Sequence, residues 1–416
     1  MPAGRLPVRP DLEQLRHQAR DLLRAIHRGD ADALADLREF HPEQVDPASA
    51  QLADAQLVLA RSYQASSWTR LKQSCDLIDA IWRDDIDAVR SIVTANPQLL
   101  HEHAGIRNNN WGFPLSYAAN IGRDRIIIML HELGATDLQY ALDRAALQGQ
   151  ESTVRLLHRL LGSPKVPDDV LGGTAYTLSV TGTRLALELG AKVVTSDGRR
   201  IAPVDVVLET DSRKPEAKHT ILALYEQHGL SYPDTPVMAL HRGRIDLLEA
   251  HIRHEPAIIN QRFTHEEIHQ PELGCHDEVL ATHGTPLDGT TLLHMCADYD
   301  ELEIARWLLE RGADVNARAT VQPDGFGGHT PLFSTVVSQA NFWPNYQRRP
   351  ESAPFTALFL KHGADPTVRA SLRKQLHPGY NDDRVMEYRD VTALEWGERF
   401  HQPVFVSRAA LEMLRR

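Results

Sequence analysis

The chain has 416 residues, of which 42% are apolar and 24% are charged, and its formal net charge is −11. This composition is typical of a globular protein or of one long repeat array, and the acidic balance argues against a broad nucleic-acid-binding face, which is usually basic. Cys75, Cys275 and Cys296 form no close-spaced pair, so the sequence predicts no disulfide framework and favours a reducing, cytoplasmic location. The most apolar run, Ile126–Leu130, is too short to cross a bilayer, and Met1–Asp11 lacks the apolar stretch of a secretory signal.

The first 75 residues predict a helical segment. Apolar residues fall on one face of a first helix: Leu12, Leu15, Ala19, Leu22, Leu23 and Ile26. Leu52–Tyr63 is a second amphipathic run, and Ser66-Ser67-Trp68 opens a third, short helix through Leu71. We expect this segment to act as a helical cap on whatever follows.

A helix–turn–helix pattern occurs three times, at Ala25–Pro42, Ala80–Pro97 and Ala239–Pro256. Each copy has Ala and an aliphatic residue at its start, Arg at the fourth position, Asp at the eighth and Pro at the end. One helix should end near the Arg, and a second should begin at or just before the Asp, whose charge suits the positive end of the helix dipole. The Pro should end that second helix. Such self-similarity indicates a repeat architecture.

A second pattern is clearest in Gly289–Asn316, and fragments of it occur at Gly112–Ala135, Gly328–Pro331 and His362–Pro366. It resembles the ankyrin repeat, in which Thr-Pro-Leu-His opens the first helix, Leu-Leu lies in the second and Gly-Ala-Asp-x-Asn follows. The matching residues are Gly289, Thr291, Leu293, His294, Ala297, Leu308, Leu309, Gly312, Ala313, Asp314 and Asn316. Leu292 replaces the usual Pro. The resemblance is strong from Gly289 to Pro366, fair from Trp111 to Gly162 and weak from Gly172 to His228.

The resemblance implies an all-α ankyrin-repeat solenoid, built of stacked helix–turn–helix units with degenerate repeats and short β-turn fingers. The first 75 residues resemble the N-terminal piece of some bacterial ankyrin proteins. We therefore expect an N-terminal helical cap at 1–75, degenerate ankyrin repeats at 76–262 and an inserted His-rich loop at 263–288. Ankyrin repeats should occupy 289–416, with a second inserted loop at 340–354 and a closing repeat at the C-terminus.

The function implied by the resemblance is binding of an unidentified protein partner through the concave face and the inserted loops. No catalysis, cofactor, metal, nucleic acid or membrane is expected, and a self-assembling or toxin-neutralising scaffold is a further hypothesis. The loop 340–354 is rich in aromatic residues and Pro, and Trp, Tyr and Arg dominate binding hot spots. The predicted protein-binding residues are Phe326, Phe342, Trp343, Tyr346, Arg348 and Arg349.

The alternative function is a zinc-dependent hydrolase or a metal-stabilised protein. His265-Glu266-Glu267-Ile268-His269 is an H-E-x-x-H string, which on a continuous helix binds zinc through both His and uses the Glu as a base. A structural metal would instead use His265, His269, Cys275 or His276. Against both, Pro271 stops the helix and the string lies in an insertion, so a polar loop is the preferred interpretation.

Overall fold

A computed structural model of the chain describes residues 6–280, 284–349, 351–375 and 384–416, and these are mainly helical. The first helices are α1 Leu12–His27, α2 Ala31–Phe40, α3 Leu52–Ser62, α4 Trp68–Trp82, α5 Ile86–Ala95, α6 Pro114–Asn120, α7 Asp124–Glu132, α8 Leu138–Gln148, α9 Glu151–Leu160, α10 Val170–Thr177 and α11 Val180–Glu188. They are followed by α12 Val204–Glu209, α13 Pro215–Gln227, α14 Pro236–His241, α15 Ile245–His254, α16 His265–Ile268, α17 Leu292–Tyr299 and α18 Leu302–Glu310. The last elements are α19 Pro331–Val336, α20 Phe342–Tyr346, α21 Pro354–Lys361, β1 Ala370–Lys374, β2 Met386–Val391, α22 Ala393–Arg399 and α23 Arg408–Leu414.

The chain divides into two compact units, and the division falls within α10. The first unit comprises Met1–Gly173 and Glu188–Gly190, and the second comprises Thr174–Leu187 and Ala191–Arg416. Among the described helices, none has the length and hydrophobicity that a membrane span requires.

The N-terminal helices of the first unit follow the apolar pattern of the sequence. The residues that α1 buries lie on the expected face: Leu15, Ala19, Leu22 and Ile26. Ser67 caps α4, since its Oγ accepts the amide N–H of Arg70 at 3.1 Å. Helix α4 is longer than the short helix that the sequence predicted to end at Leu71. Leu77, Ile78 and Ile81 continue its buried face as far as Trp82. It therefore runs through the expected boundary at residue 75.

The thrice-repeated pattern forms the expected helix pairs. Its second helices, α2, α5 and α15, each begin one residue before the Asp of the pattern and end two residues before its Pro. In two copies an earlier carboxylate caps the helix: Asp30 accepts from the amide of Ala33, and Asp85 from that of Ala88, both at 3.0 Å. The capping residue is thus two positions ahead of the Asp that defines the pattern.

The second unit stacks the pairs α12/α13, α14/α15, α17/α18, α19/α21 and α22/α23. The three Leu residues that the repeat pattern places between neighbours are buried, at 1% exposure for Leu293, 0% for Leu308 and 8% for Leu309. Trp396 of α22 is also fully buried. A single apolar repeat cannot cover its own face, so this shared core is what holds successive pairs together.

A small antiparallel sheet was not anticipated from the sequence. Strand β1 pairs with β2 in the register Leu372↔Tyr388, and both side chains are buried. The Gly-rich segment 319–328 forms a β-turn finger, closed by a bridge between Val321 and Gly327. Gly327 also bridges to Ser371, so the finger is joined to β1.

The described residues of the His-rich insertion, 263–280 and 284–288, do not extend away from the repeats. They lie along the first helices of successive pairs in the second unit, and Ile268, His269, Leu273 and Thr285 are buried. Gln270 Nε2 donates to Thr235 at the start of α14, at 3.1 Å. The hydroxyl of Thr285 donates to the carbonyl of Val337, just after α19, at 2.8 Å. The insertion thus covers part of the surface formed by the first helices of these pairs.

Candidate functional site

The aromatic insertion between α19 and α21 is anchored to the fold. Phe342 packs against Phe405 with ring centroids 5.3 Å apart, and it stacks on Tyr346 at 5.8 Å. Asn345 Nδ2 donates to two carbonyls of the segment Val404–Val406, at 2.9 and 2.8 Å. These contacts attach α20 to the chain just before α23.

The outer end of this insertion is open to solvent. Tyr346 is 67% exposed, and Arg348 and Arg349 are exposed beside it. Trp343 is half-buried, with its ring perpendicular to that of Tyr346 at 5.7 Å. The predicted residues of the insertion therefore share one surface, but Phe342 and Trp343 give part of their area to the fold.

Tyr176 of α10 and Lys214, just before α13, extend this surface. Burial and the positive charge of nearby Arg349 lower the pKa of Lys214. The Lys214 amine donates to the carbonyl of Thr177 at 2.8 Å, and the preceding Tyr176 is 51% exposed. We call the group Tyr176, Lys214, Trp343, Tyr346, Arg348 and Arg349 the aromatic–basic patch.

Phe326 does not belong to that patch. It lies in the β-turn finger, only 5% exposed, and the guanidinium carbons of Arg373 and Arg389 lie 3.9 and 4.4 Å from its ring centroid. Such cation–π contacts stabilise the finger against β1 and β2. The burial does not support the prediction that Phe326 contacts a partner, and its contacts give it a structural role.

The H-E-x-x-H string is not arranged as in a zinc protease. Helix α16 is a single turn that ends at Ile268, with His269 as its cap. The rings of His265 and His269 stack with centroids 4.6 Å apart, and His265 Nε2 lies 2.7 Å from the carbonyl oxygen of Asp277. Glu266, the expected base, faces solvent while His269 is buried. The Glu is therefore not placed beside an atom that both imidazoles could bind.

His269 faces a carboxylate from another helix pair instead. Its Nδ1 lies 3.4 Å from Oε1 of Glu209, the last residue of α12, and both side chains are almost fully buried. The same Glu209 oxygen accepts the amide N–H groups of His276 and Asp277, each at 2.9 Å. One possible ligand atom from each of Glu209, His269 and Asp277 lies within 4.8 Å of the other two.

Two buried atoms of this group make no hydrogen bond to any described residue. They are Nε2 of His269 and Oε2 of Glu209. Oε2 lies 3.1 Å from Nδ1 of His276, but the angles of that contact are not those of a hydrogen bond. A buried polar atom left without a partner costs about 1–3 kcal/mol. His269 and Glu209 therefore each have a lone pair available for a ligand.

The charge of Glu209 is stabilised where it stands. Burial alone would raise its pKa, but the hydrogen bonds from His269 and from the amides of Asp277 and His276 outweigh that effect and lower it. Burial and the nearby carboxylates, Glu209 first among them, raise the pKa of the Cys275 thiol. Cys275 thus stays a neutral thiol at physiological pH, whereas Glu209 is ionised.

Other buried charges nearby are paired with each other. Arg213 lies 3.3 Å from Asp298, and Lys218 lies 2.8 Å from Glu301, all four being 8% exposed or less. Both cations also approach the ring of Tyr299, at 4.8 and 5.2 Å. These pairs join the start of α13 to α17 and α18, which is a structural role.

Sequence reasoning identified His269 but not Glu209 or Asp277. Glu209 stands 67 positions before His276, in a part of the sequence where the repeat pattern is weak. The only local signals are an acidic residue at the end of an apolar helix and an Asp that follows His276. Of the ligands considered for a structural metal, His269 lies in the group, His276 lies at its edge, and Cys275 and His265 lie outside the three-residue cluster.

The geometry around α17 and α18 identifies the repeat type. The hydroxyl of Thr291, at the start of α17, lies 2.9 Å from Nδ1 of His294. In the turns that follow, Asn260 Oδ1 accepts the amide of Asp314, and Asn316 Oδ1 accepts that of Asp365, both at 2.8 Å. The family model described as "Ankyrin repeat" matches residues 288–320. This segment of the chain is therefore an ankyrin repeat.

Two solved ankyrin repeat domains are similar to this chain. The human ASB11 ankyrin repeat domain has 15% sequence identity and a TM-score of 0.27, over 72% of this chain and 97% of that one. The ankyrin repeat domain of Bcl-3, a member of the IkappaB protein family, has 15% identity and a TM-score of 0.19, over 82% and 98%. No curated protein sequence matches the chain.

Proposed function

We propose that this ankyrin-repeat protein is a non-catalytic scaffold that binds a protein partner through the aromatic–basic patch. The observation that carries the proposal is the exposure of Tyr346 at 67%, on a helix that is already anchored. Exposed Tyr, Trp and Arg side chains contribute most of the binding energy at protein interfaces. An anchored surface also loses less conformational entropy on binding than a loose loop.

We propose that the partner binds this patch and not the surface formed by the first helices of the pairs. In the second unit the His-rich insertion covers part of that face, with Thr285 and His269 buried against it. A partner that used this part of the face would have to displace the insertion and leave those polar groups unpaired. The insertion 340–354 can be reached without such a rearrangement.

The charge of the patch favours an acidic partner. Lys214, Arg348 and Arg349 form a local positive surface on a chain whose formal net charge is −11. Complementary charges raise the rate of association and select among partners. We therefore expect a partner segment that carries Asp or Glu side chains beside an apolar group that packs on Tyr346.

The proposal is tested by comparing capture by the full-length protein with capture by Tyr346→Ala combined with Arg349→Ala. The wild type should retain partner proteins from a lysate of the source cells. The amount retained should be at least about tenfold lower with this variant, an effect of about 1.4 kcal/mol. The melting temperature should stay unchanged, because both side chains are exposed. Light scattering of the purified protein checks whether the partner is a second copy of the chain.

The matched control is Tyr140→Ala in α8, which removes a Tyr that is 41% exposed and lies in the first unit. Its capture should equal that of the wild type. Equal capture by the wild type and the patch variant would refute the role of the patch. Equal losses with both variants would show that the effect is not specific to it.

A further inference from the structure

The group at the end of α12 has the features of a metal site. Glu209 and Asp277 supply carboxylates and His269 supplies an imidazole, with the three donor atoms within 4.8 Å of one another. In a tetrahedral zinc site each donor lies about 2.0–2.2 Å from the ion, so donors this close need only small movements to converge on one ion. Exposed clusters of acidic residues are common on proteins that bind no metal, but here two of the three residues are buried.

The second observation is independent of that spacing. The His269 side chain is 95% buried, and within the described residues its Nε2 finds no hydrogen-bond partner. Oε2 of Glu209 is buried and unsatisfied in the same way, while its Oε1 is held by two amides. The amides orient the carboxylate and leave a lone pair free, as hydrogen bonds to metal-binding carboxylates usually do.

We propose that Glu209, His269 and Asp277 bind one divalent transition-metal ion of the zinc type. An imidazole and two carboxylates suit such an ion better than they suit Mg²⁺ or Ca²⁺, which prefer oxygen ligands only. His276 is 76% exposed with its Nδ1 3.1 Å from Glu209 Oε2, so it stands at the solvent side of the site, where it can supply a fourth ligand. Cys275 is not a ligand in this assignment.

The ion would join two parts of the second unit that are far apart in sequence. Glu209 ends α12, whereas His269 and Asp277 belong to the His-rich insertion. A ligand that binds only the folded arrangement stabilises it. The metal thus holds the insertion on the face of the repeats. This inference is independent of the proposed binding function, because either can fail alone.

The test uses the full-length protein, freed of metal with EDTA and titrated with ZnCl₂ by calorimetry. One ion per chain should bind, and His269→Gln should weaken binding at least about tenfold, since loss of a ligand is at least as harmful as loss of a supporting hydrogen bond. Two variants serve as controls and should bind as the wild type does. Cys275→Ser changes a neighbour in the insertion, and His254→Gln makes the same substitution at an exposed position of α15.

A second measurement needs no variant and therefore does not depend on how His269→Gln folds. Hydrogen exchange of the wild type with and without ZnCl₂ should show slower exchange at residues 204–211 and 263–280 when zinc is present. Absence of stoichiometric binding, protection confined to other segments, or unchanged affinity in a folded His269→Gln variant would overturn the proposal. Loss of binding in Cys275→Ser would overturn the ligand assignment.

Discussion

At the scale of single residues, two buried imidazoles hold the repeat turns of the second unit. His294 and His329 are fully buried, and their rings meet edge to face at 5.5 Å. His294 Nδ1 lies 2.9 Å from the hydroxyl of Thr291, and His329 Nε2 lies 2.9 Å from the carbonyl of Pro286. A neutral ring fits both environments, because a buried charge without a counter-ion is costly.

The stability of the protein should therefore depend on His329 in acid. Burial lowers its pKa from 6.5 to about 4. Between these values the unfolded chain binds a proton that the folded chain does not, so the free energy of unfolding falls as the pH drops through this window. The loss is at most about 1.4 kcal/mol for each pH unit. Replacing His329 with Gln, which retains an N–H donor for Pro286, should remove that part of the slope.

Denaturant unfolding of the wild type and His329→Gln at pH 8, 6 and 5 measures this effect. At pH 8 the imidazole is neutral in both states, so a difference there reports only packing and serves as the control. As the pH falls, the free energy of unfolding should decrease more for the wild type than for His329→Gln. Parallel profiles from pH 8 to pH 5 would contradict the prediction.

At the scale of elements, the β-turn finger depends on one glycine. Gly327 has φ +109°, and a Cβ at this position would lie 2.0 Å from the carbonyl oxygen of Thr320. Gly325, two residues earlier, has φ +86° but no atom within 4 Å of its Cβ position. Ala at position 325 would therefore meet backbone strain alone, whereas Ala at position 327 would meet backbone strain and steric overlap.

We expect Gly325→Ala to lower the free energy of unfolding by about 1–2 kcal/mol, the cost of a left-handed conformation for Ala. Gly327→Ala should cost clearly more, because the finger must also move away from Thr320 and weaken its bridge to Ser371. Denaturant unfolding of both variants and the wild type measures the difference. Equal losses would show that the finger shifts without resistance.

Elements defined by local patterns could be predicted from the sequence, and those defined by distant contacts could not. The starts of α2, α5 and α15 follow from Asp, Arg and Pro at fixed spacing. Strand β1 has only five residues, and its pairing depends on β2 and on the finger at Gly327. Helix α20 was expected as a loop, and Asn345 holds it through carbonyls of Val404–Val406.

The same distinction applies to the candidate sites. Tyr346, Arg348 and Arg349 could be proposed as contact residues because residue type alone suggests that role. Glu209 could not be linked to His269, because no spacing rule connects the end of one helix pair with an insertion after another. Phe326 is buried and so is not part of the proposed surface. Its sequence context, GFGG, gave no sign that Arg373 and Arg389 would cover its ring.

At the scale of the whole molecule, stability should not be uniform along the chain. Helix α10 contains Gly172 and Gly173, and a Gly inside a helix costs about 1 kcal/mol relative to Ala. By contrast, every residue of α17 is buried. In repeat proteins each pair is stabilised mainly by its neighbours, so a weak pair can open without the rest. The weakest match to the repeat pattern, Gly172–His228, begins at α10.

We therefore expect amides of α10 and α11 to exchange with solvent before those of α17 and α18, in a hydrogen-exchange experiment on the full-length chain.

Gly172→Ala should slow exchange within residues 170–188 and raise stability by about 0.5–1 kcal/mol, because no atom lies within 4 Å of the added Cβ. The matched control is Gly134→Ala, where the Cβ position is equally open but φ is +103°. That substitution should destabilise, since Ala does not readily adopt a positive φ. Uniform protection along the chain, or slower exchange in α17 and α18 as well as in α10 and α11 for Gly172→Ala, would mean that the helices open together.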